Sequence, residues 1–240
     1  MSRQWMTLMA ILLVYIPVAI DATVLHVAAP TLSVALGSSG NELLWIIDIY
    51  SLVMAGMVLP MGALGDKIGF ITVGLLAACL PWLVMCGMHL GLVPFMTQAL
   101  TNPGYDAVFR PAFILHNMAE GGACIGVALR TKDAEKRAEA LSIAFGCIVA
   151  GVTEPAIYGI NLPRKKPMYG VMAGGAVGGV AAGLLGAKAY VMGYSTVLAL
   201  PIFQNTIVAM SIAIVTAIVV AAVVTYVLGF EEKTDFSQRR

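Results

Sequence analysis

Apolar stretches of roughly 20 residues recur along this chain, and a helix needs about that length to cross the hydrocarbon core at about 1.5 Å per residue. They run Met6–His26, Leu43–Leu64, Ile71–Leu92, Ala112–Leu129, Ala138–Ile160, Tyr169–Ala187 and Thr206–Leu228. A shorter piece, Val191–Phe203, is bounded by Gly193 and Pro201 and reads as an interfacial or re-entrant element. With 60% hydrophobic and only 11% charged residues, the chain falls far from the soluble norm of about a quarter charged. Alternation of polarity in blocks of about ten residues, the mark of an outer-membrane barrel, is absent. The fold class these features predict is an all-α integral membrane protein of about seven membrane segments, including a re-entrant hairpin.

Charge carries the hairpin argument. Cations cluster at Lys67, at Arg130 to Arg137, at Arg164 to Lys166, and at Arg239 and Arg240, and the positive-inside rule assigns each cluster to the cytoplasmic face. Ala138–Ile160 has cations on both flanks, so one crossing would place one of them outside. Either the segment turns back at Gly151–Pro155 or the rule fails here, and the hairpin is favoured. Non-helical backbone at membrane depth is tolerated where protein or an aqueous cavity encloses it. Thr153 and Glu154 supply polar groups at that break.

A net charge of +1 gives no polyanion-binding surplus, so nucleic acid is not an expected partner. Cys79, Cys86, Cys124 and Cys147 lie in apolar surroundings without paired spacing and read as small buried side chains. No secretory signal is read in Met6–Ile20, because Asp21 follows without a small-residue cleavage site. The sequence offers no metal-ligand cluster and no Walker A loop, and neither metal nor cofactor is expected. Glycines at 170, 174, 178 and at 175, 179, 183 repeat every fourth residue, which predicts close helix packing or, as the sharper alternative, a moving interface.

Five stretches share one resemblance: "GMHLGLVPF" (87–95), "NPGYDAVFRPAF" (102–113), "GGACIGVAL" (121–129) with "RTKDAEKR", "GVTEPAIYGINLPRKKP" (151–167) and "LGFEE" (228–232). In this order they resemble the membrane component, enzyme IIC, of a phosphoenolpyruvate-dependent sugar phosphotransferase system, in its β-glucoside and sucrose branch. The resemblance covers residues 71–232, the C-terminal half of such a domain, with 233–240 a polar tail. It implies a permease that binds and translocates a β-glucoside or sucrose-type sugar. Phosphorylation would fall to a separate IIB domain on another chain, since no phosphorylatable cysteine or histidine motif is present here. It also implies a multi-pass location in the bacterial cytoplasmic (inner) membrane among lipid, and a homodimer as the assembly to look for.

The same resemblance implies a substrate-binding set of Glu154, His89, Thr153 and Asn161. A carboxylate accepts hydroxyl donors in charge-assisted bonds about twice as strong as neutral ones, and a neutral imidazole offers one donor and one acceptor. Glu154 held by backbone N–H groups, and His89 as a structural hydrogen-bonder, are the plainer readings of the two. His116 and Glu120 stand one turn apart and are expected to pair with each other, or else to line the pathway. Relatives often place a glutamine near Glu120. Tyr158 can stack on a sugar face or sit in an aromatic belt. Arg164–Lys166 anchors orientation or receives the IIB domain.

Residues 1–70 resemble something different. "AIDATVLHVAAPTL" (19–32) and "LLWIIDIYSLVMAGMVLPMGALGDKIG" (43–69) resemble the first two helices of a fourteen-helix multidrug efflux pump of the major facilitator superfamily. Asp21 would there be a membrane acid for a proton or cation, and Asp66 a latch in the loop. A junction near Phe70–Ile71 follows. A multidrug/proton antiporter fragment and a non-functional hybrid are therefore the alternatives to a sugar permease.

Overall fold

The computed structural model describes Gly37, Ser39, Asn41, Glu42, Trp45 and residues 69–230. Two compact units divide the chain, 1–60 and 61–240. Of the first, the described residues show a reciprocal cap: the Ser39 N–H donates to Glu42 Oε2 at 2.7 Å, and the Glu42 N–H to Ser39 Oγ at 3.4 Å. The expected segments Met6–His26 and Leu43–Leu64 lie outside the described residues, apart from Trp45.

The second unit is helical. Its helices are α1 (Gly69–Met85), α2 (Val93–Thr101), α3 (Phe109–Arg130), α4 (Ala134–Phe145), α5 (Lys166–Leu184) and α6 (Ile207–Leu228). Short 3-10 turns at Met88–Leu92 and Val197–Thr206 join α1 to α2 and lead into α6. Among the described residues, three spans are long and apolar enough to cross a membrane: α3, α5, and α6 together with the turn before it, across a kink at Gln204.

Glycine decides how these helices meet. On one face of α5, a Cβ at Gly174 would lie 2.6 Å from the Ala217 carbonyl oxygen of α6, and one at Gly178 would lie 2.7 Å from the Ala217 Cβ. On another face, a Cβ at Gly175 or Gly179 would meet the backbone of Ala77 or Gly74 in α1 at 2.7 and 2.6 Å. The expected close packing is thus present twice over, because two helices press against α5 where no side chain intervenes. The pairings fix direction. Gly170, Gly174 and Gly178 meet residues of falling number on α6, so α5 and α6 are antiparallel; Gly122 and Gly126 of α3 meet Ile218 and Ala222, so α3 and α6 are parallel.

Between α4 and α5 the chain makes the expected hairpin. Asp133 caps α4 by accepting from the Glu135 and Lys136 N–H groups. The helix loosens into a π turn at Gly146–Ala150, breaks at Gly151 with φ +77°, and resumes as a π-helical limb over Pro155–Asn161. Positive φ suits glycine, and Pro155 opens the return limb. The tip reaches Asn117, thirteen residues down α3 from Arg130, or about 20 Å at about 1.5 Å per residue. Both ends of the hairpin return to the terminus of α6: Arg130 Nη1 donates to the Tyr226 carbonyl at 2.6 Å and Lys166 Nζ to that of Leu228 at 3.3 Å. Ala140, Ala144 and Cys147 of one limb pack with Ala156 and Ile160 of the other and with Cys124, Val127 and Ala128 of α3.

One expectation changes. Ile71–Leu92 is not a full span: α1 has seventeen residues, turns at Gly87 with φ +72°, and α2 returns until Phe95 stacks on Phe109 at the start of α3. Phe70 packs on Gly183, at the end of α5 opposite Lys166, and so lies at the far end of the bundle from Arg130 and Arg164. Lys67 lies outside the described residues.

Candidate functional site

The site is framed by the start of α3. Asp106 is buried and accepts from the Val108, Phe109 and Arg110 N–H groups at 2.7–2.9 Å, and its backbone pairs with Ala189 through two bonds of 2.8 Å. Burial raises the pKa of this carboxyl above the usual aspartate value, while those three N–H donors and the Arg110 charge work against the rise. Arg110 reaches across to the Gly193 carbonyl at 2.5 Å and to Ser195 Oγ. Two turns on, Asn117 Nδ2 donates to the carbonyls of Gly151 at 3.2 Å and Ser195 at 2.8 Å. One amide thereby joins α3, the hairpin tip and the segment before α6.

Beside the tip opens a cleft of about 470 Å³, lined by Val149, Ala150, Tyr194, Thr196, Leu198 and Ile202 among others. That volume falls within the range of small-molecule sites, about 300–1,000 Å³.

The expected site residues occupy three environments. Glu154 is exposed at the start of the return limb, and Thr153 beside it is buried. His89 is half-buried in the turn between α1 and α2, its ring 6.4 Å from that of Phe113 and within electrostatic reach of His116. Asn161 is fully buried and committed: its Nδ2 donates to Glu120 Oε2 at 2.5 Å, and its Oδ1 accepts from the Cys124 thiol at 3.8 Å. Asp21 and Asp66 lie outside the described residues.

The His116–Glu120 pairing is looser than expected. Nδ1 and Oε1 are 4.0 Å apart, beyond hydrogen-bond length, and the carboxyl's partner is Asn161 instead. Asp106, Arg110, Asn117 and Ser195 were not singled out from the sequence. The first two sit inside the "NPGYDAVFRPAF" stretch, yet partners 78 to 85 residues away leave no local pattern to find. No group of three or more histidine, cysteine, aspartate or glutamate side chains fit to hold a metal ion occurs among the described residues.

A bundle of apolar helices, with a broken hairpin carrying polar groups among them, defines the class: an all-α integral membrane protein. Residues 15–175 match the family described as "Phosphotransferase system, EIIC", and the chain belongs to that family.

Among curated relatives it is 35% identical over 177 residues to the "PTS system beta-glucoside-specific EIIBCA component" of Bacillus subtilis, covering 72% of this chain and 29% of that protein. It is 34% identical over 170 residues to the "PTS system arbutin-, cellobiose-, and salicin-specific EIIBC component" of Escherichia coli, covering 69% of this chain and 35% of that one. A separate N-terminal segment is 87% identical over 70 residues to "Methyl viologen resistance protein SmvA" of Salmonella typhimurium, 29% of this chain and 14% of that protein. The chain thus spans well under half the length of each of these relatives. The family match begins at residue 15 and so extends across the junction near Phe70–Ile71. No solved structure matches.

Proposed function

We propose that this chain is the membrane permease (IIC) component of a sugar phosphotransferase system in the bacterial inner membrane. It would bind and translocate a β-glucoside or sucrose-type sugar, which the IIB domain of another chain then phosphorylates. The observation that carries this reading is the re-entrant hairpin formed by "GVTEPAIYGINLPRKKP", which leaves the Glu154 carboxylate exposed and free to meet a solute. Glu154 accepts sugar hydroxyls, Thr153 and His89 add neutral hydrogen bonds, and Asn161 holds the return limb against α3 from behind. The end of the bundle bearing Arg130, Arg164 and Lys166 faces the cytoplasm and receives the phosphorylated partner. On this reading, 71–232 is the permease region and 233–240 a polar tail.

The test is equilibrium binding of radiolabelled salicin and sucrose to protein purified in detergent. Saturable binding of one of them is expected; binding of neither would overturn the reading. A second reading has its own support, since the 87% identity to the viologen-resistance protein favours an efflux-pump origin for residues 1–70. On it, Asp21 and Asp66 would be the proton or cation residues of an antiporter fragment, and resistance to viologens in cells would depend on Asp21.

A further inference from the structure

Glu120 lies at mid-length of α3 with no exposed surface. Oε2 takes the Asn161 amide, whereas Oε1 has no hydrogen-bond partner, and neither nitrogen of the equally buried His116 has one. Three polar atoms without partners, two of them 4.0 Å apart, stand close together, where buried polar groups ordinarily find partners.

The surrounding groups do not neutralise a charge there. Cys124 on the same helix donates to Asn161. Cys147 and Glu154 of the hairpin bring a thiol and a further acid. Arg164, the hairpin cation that acts on Cys124, spends its Nη1 on the carbonyls of Gly159 and Ile160. His89, from the turn after α1, faces His116. An ionised Glu120 would therefore be a buried charge supported by one amide, a costly arrangement within a membrane.

We propose that Glu120, His116 and Asn161 form a membrane-buried proton-binding site, in which the Glu120 carboxyl carries the proton on Oε1 and donates it in a hydrogen bond to neutral His116 Nδ1. The two atoms stand 4.0 Å apart across one helical turn, so the side chains must approach by about 1 Å to reach hydrogen-bond length. The proton satisfies both orphaned atoms at once: Oε1 becomes a donor and Nδ1 its acceptor, while Oε2 keeps the amide of Asn161. Transfer along this bond breaks O–H and forms N–H, so the proton stays within the pair; its release to the outside passes it to a water molecule, and uptake takes it from one. The site shares Asn161 with the sugar reading but not Glu154, and infrared spectroscopy reads it without any sugar present.

Infrared difference spectroscopy of the purified protein in lipid vesicles tests this. At neutral pH a protonated-acid C=O band is expected that moves down in D2O, disappears in Glu120→Gln and moves up in His116→Phe, where the hydrogen bond from the acid is lost. A parent protein without such a band overturns the proposal, as does a band that survives Glu120→Gln. If Glu120→Gln fails to fold, His116→Phe decides: an unmoved band means that the acid is not bonded to the imidazole, and the proposal falls.

Discussion

Glu154 and Glu120 illustrate how far surroundings separate two identical side chains. Glu154, exposed on the hairpin, can exchange water for sugar hydroxyls, and bonds to a charged group contribute about 1.5–3 kcal/mol. Glu154→Ala should weaken glucoside binding roughly ten- to a hundredfold, at about 1.4 kcal/mol per decade, and Glu154→Gln should fall between Ala and the parent. Both should reach the membrane at parental levels and melt near the parental temperature, because the exposed carboxylate makes no capping bond to the return limb; unchanged affinity in Glu154→Ala would remove the sugar-site assignment. Asn117 is the structural counterpart. Asn117→Ala strips the Gly151 and Ser195 carbonyls of a shared donor, which should cost about 1–3 kcal/mol and speed hydrogen exchange around Gly151 before any change at the bundle core. The sequence displayed Glu154 because a carboxylate in an apolar run stands out by itself. It concealed Asn117, whose importance depends on two carbonyls distant along the chain.

At the scale of elements, the break at Gly151–Pro155 was legible because charge and turn chemistry agreed on it: cations flanked both ends, and glycine and proline marked the fold-back. The turn after α1 was not, since Ile71–Leu92 is mostly apolar and Gly87 is a weak signal within it. A topology test follows in a cysteine-free background. Cysteines at the exposed Lys132 and Lys165 should both react with an impermeant maleimide from the cytoplasmic side, whereas labelling from opposite sides would turn the hairpin into a single crossing. Helix contact gives a second expectation. Gly174→Leu drives a side chain into the Ala217 carbonyl and the Ala221 Cβ, and overpacking of this kind costs about 1–3 kcal/mol or more. Gly159→Ala, where a Cβ meets nothing within 4 Å, should leave the melting temperature in detergent near the parent's. Equal losses in the two would mean that α5 and α6 are not held by close approach.

For the molecule as a whole, sidedness can be read at both ends of the bundle. The basic residue Lys67 calls for a cytoplasmic position, yet Phe70 sits at the end of the bundle away from Arg130, Arg164 and Lys166. Cysteine at the exposed Phe70 should therefore be labelled from outside while Lys132→Cys is labelled from inside; labelling of both from the cytoplasm would mean that residues 1–70 dictate orientation and that α1 is inverted. Asp21→Asn should leave glucoside binding unchanged and alter no tolerance to cationic drugs, as a lone acid without partner helices would sit neutral or turn to water. Lost viologen resistance in that variant would reverse the ranking of the two readings. The mixed ancestry itself was legible, because each half carries motifs dense enough to be read separately. The placement of Phe70 was not, because it depends on which end of α5 receives α1.

The amide clasp of Asn117 also sets a schedule for biogenesis. Asn117 is synthesised 34 residues ahead of Gly151 and 78 ahead of Ser195. At about 5–20 residues per second, the clasp stays incomplete for roughly 4–16 s after Asn117 leaves the peptidyl-transferase centre. During that interval the hairpin tip has α3 to lean on but lacks its second wall. The insertion machinery must therefore shelter a polar, half-docked loop until the segment before α6 arrives, and a ribosome stalled between the two codons would leave that loop open to membrane proteases.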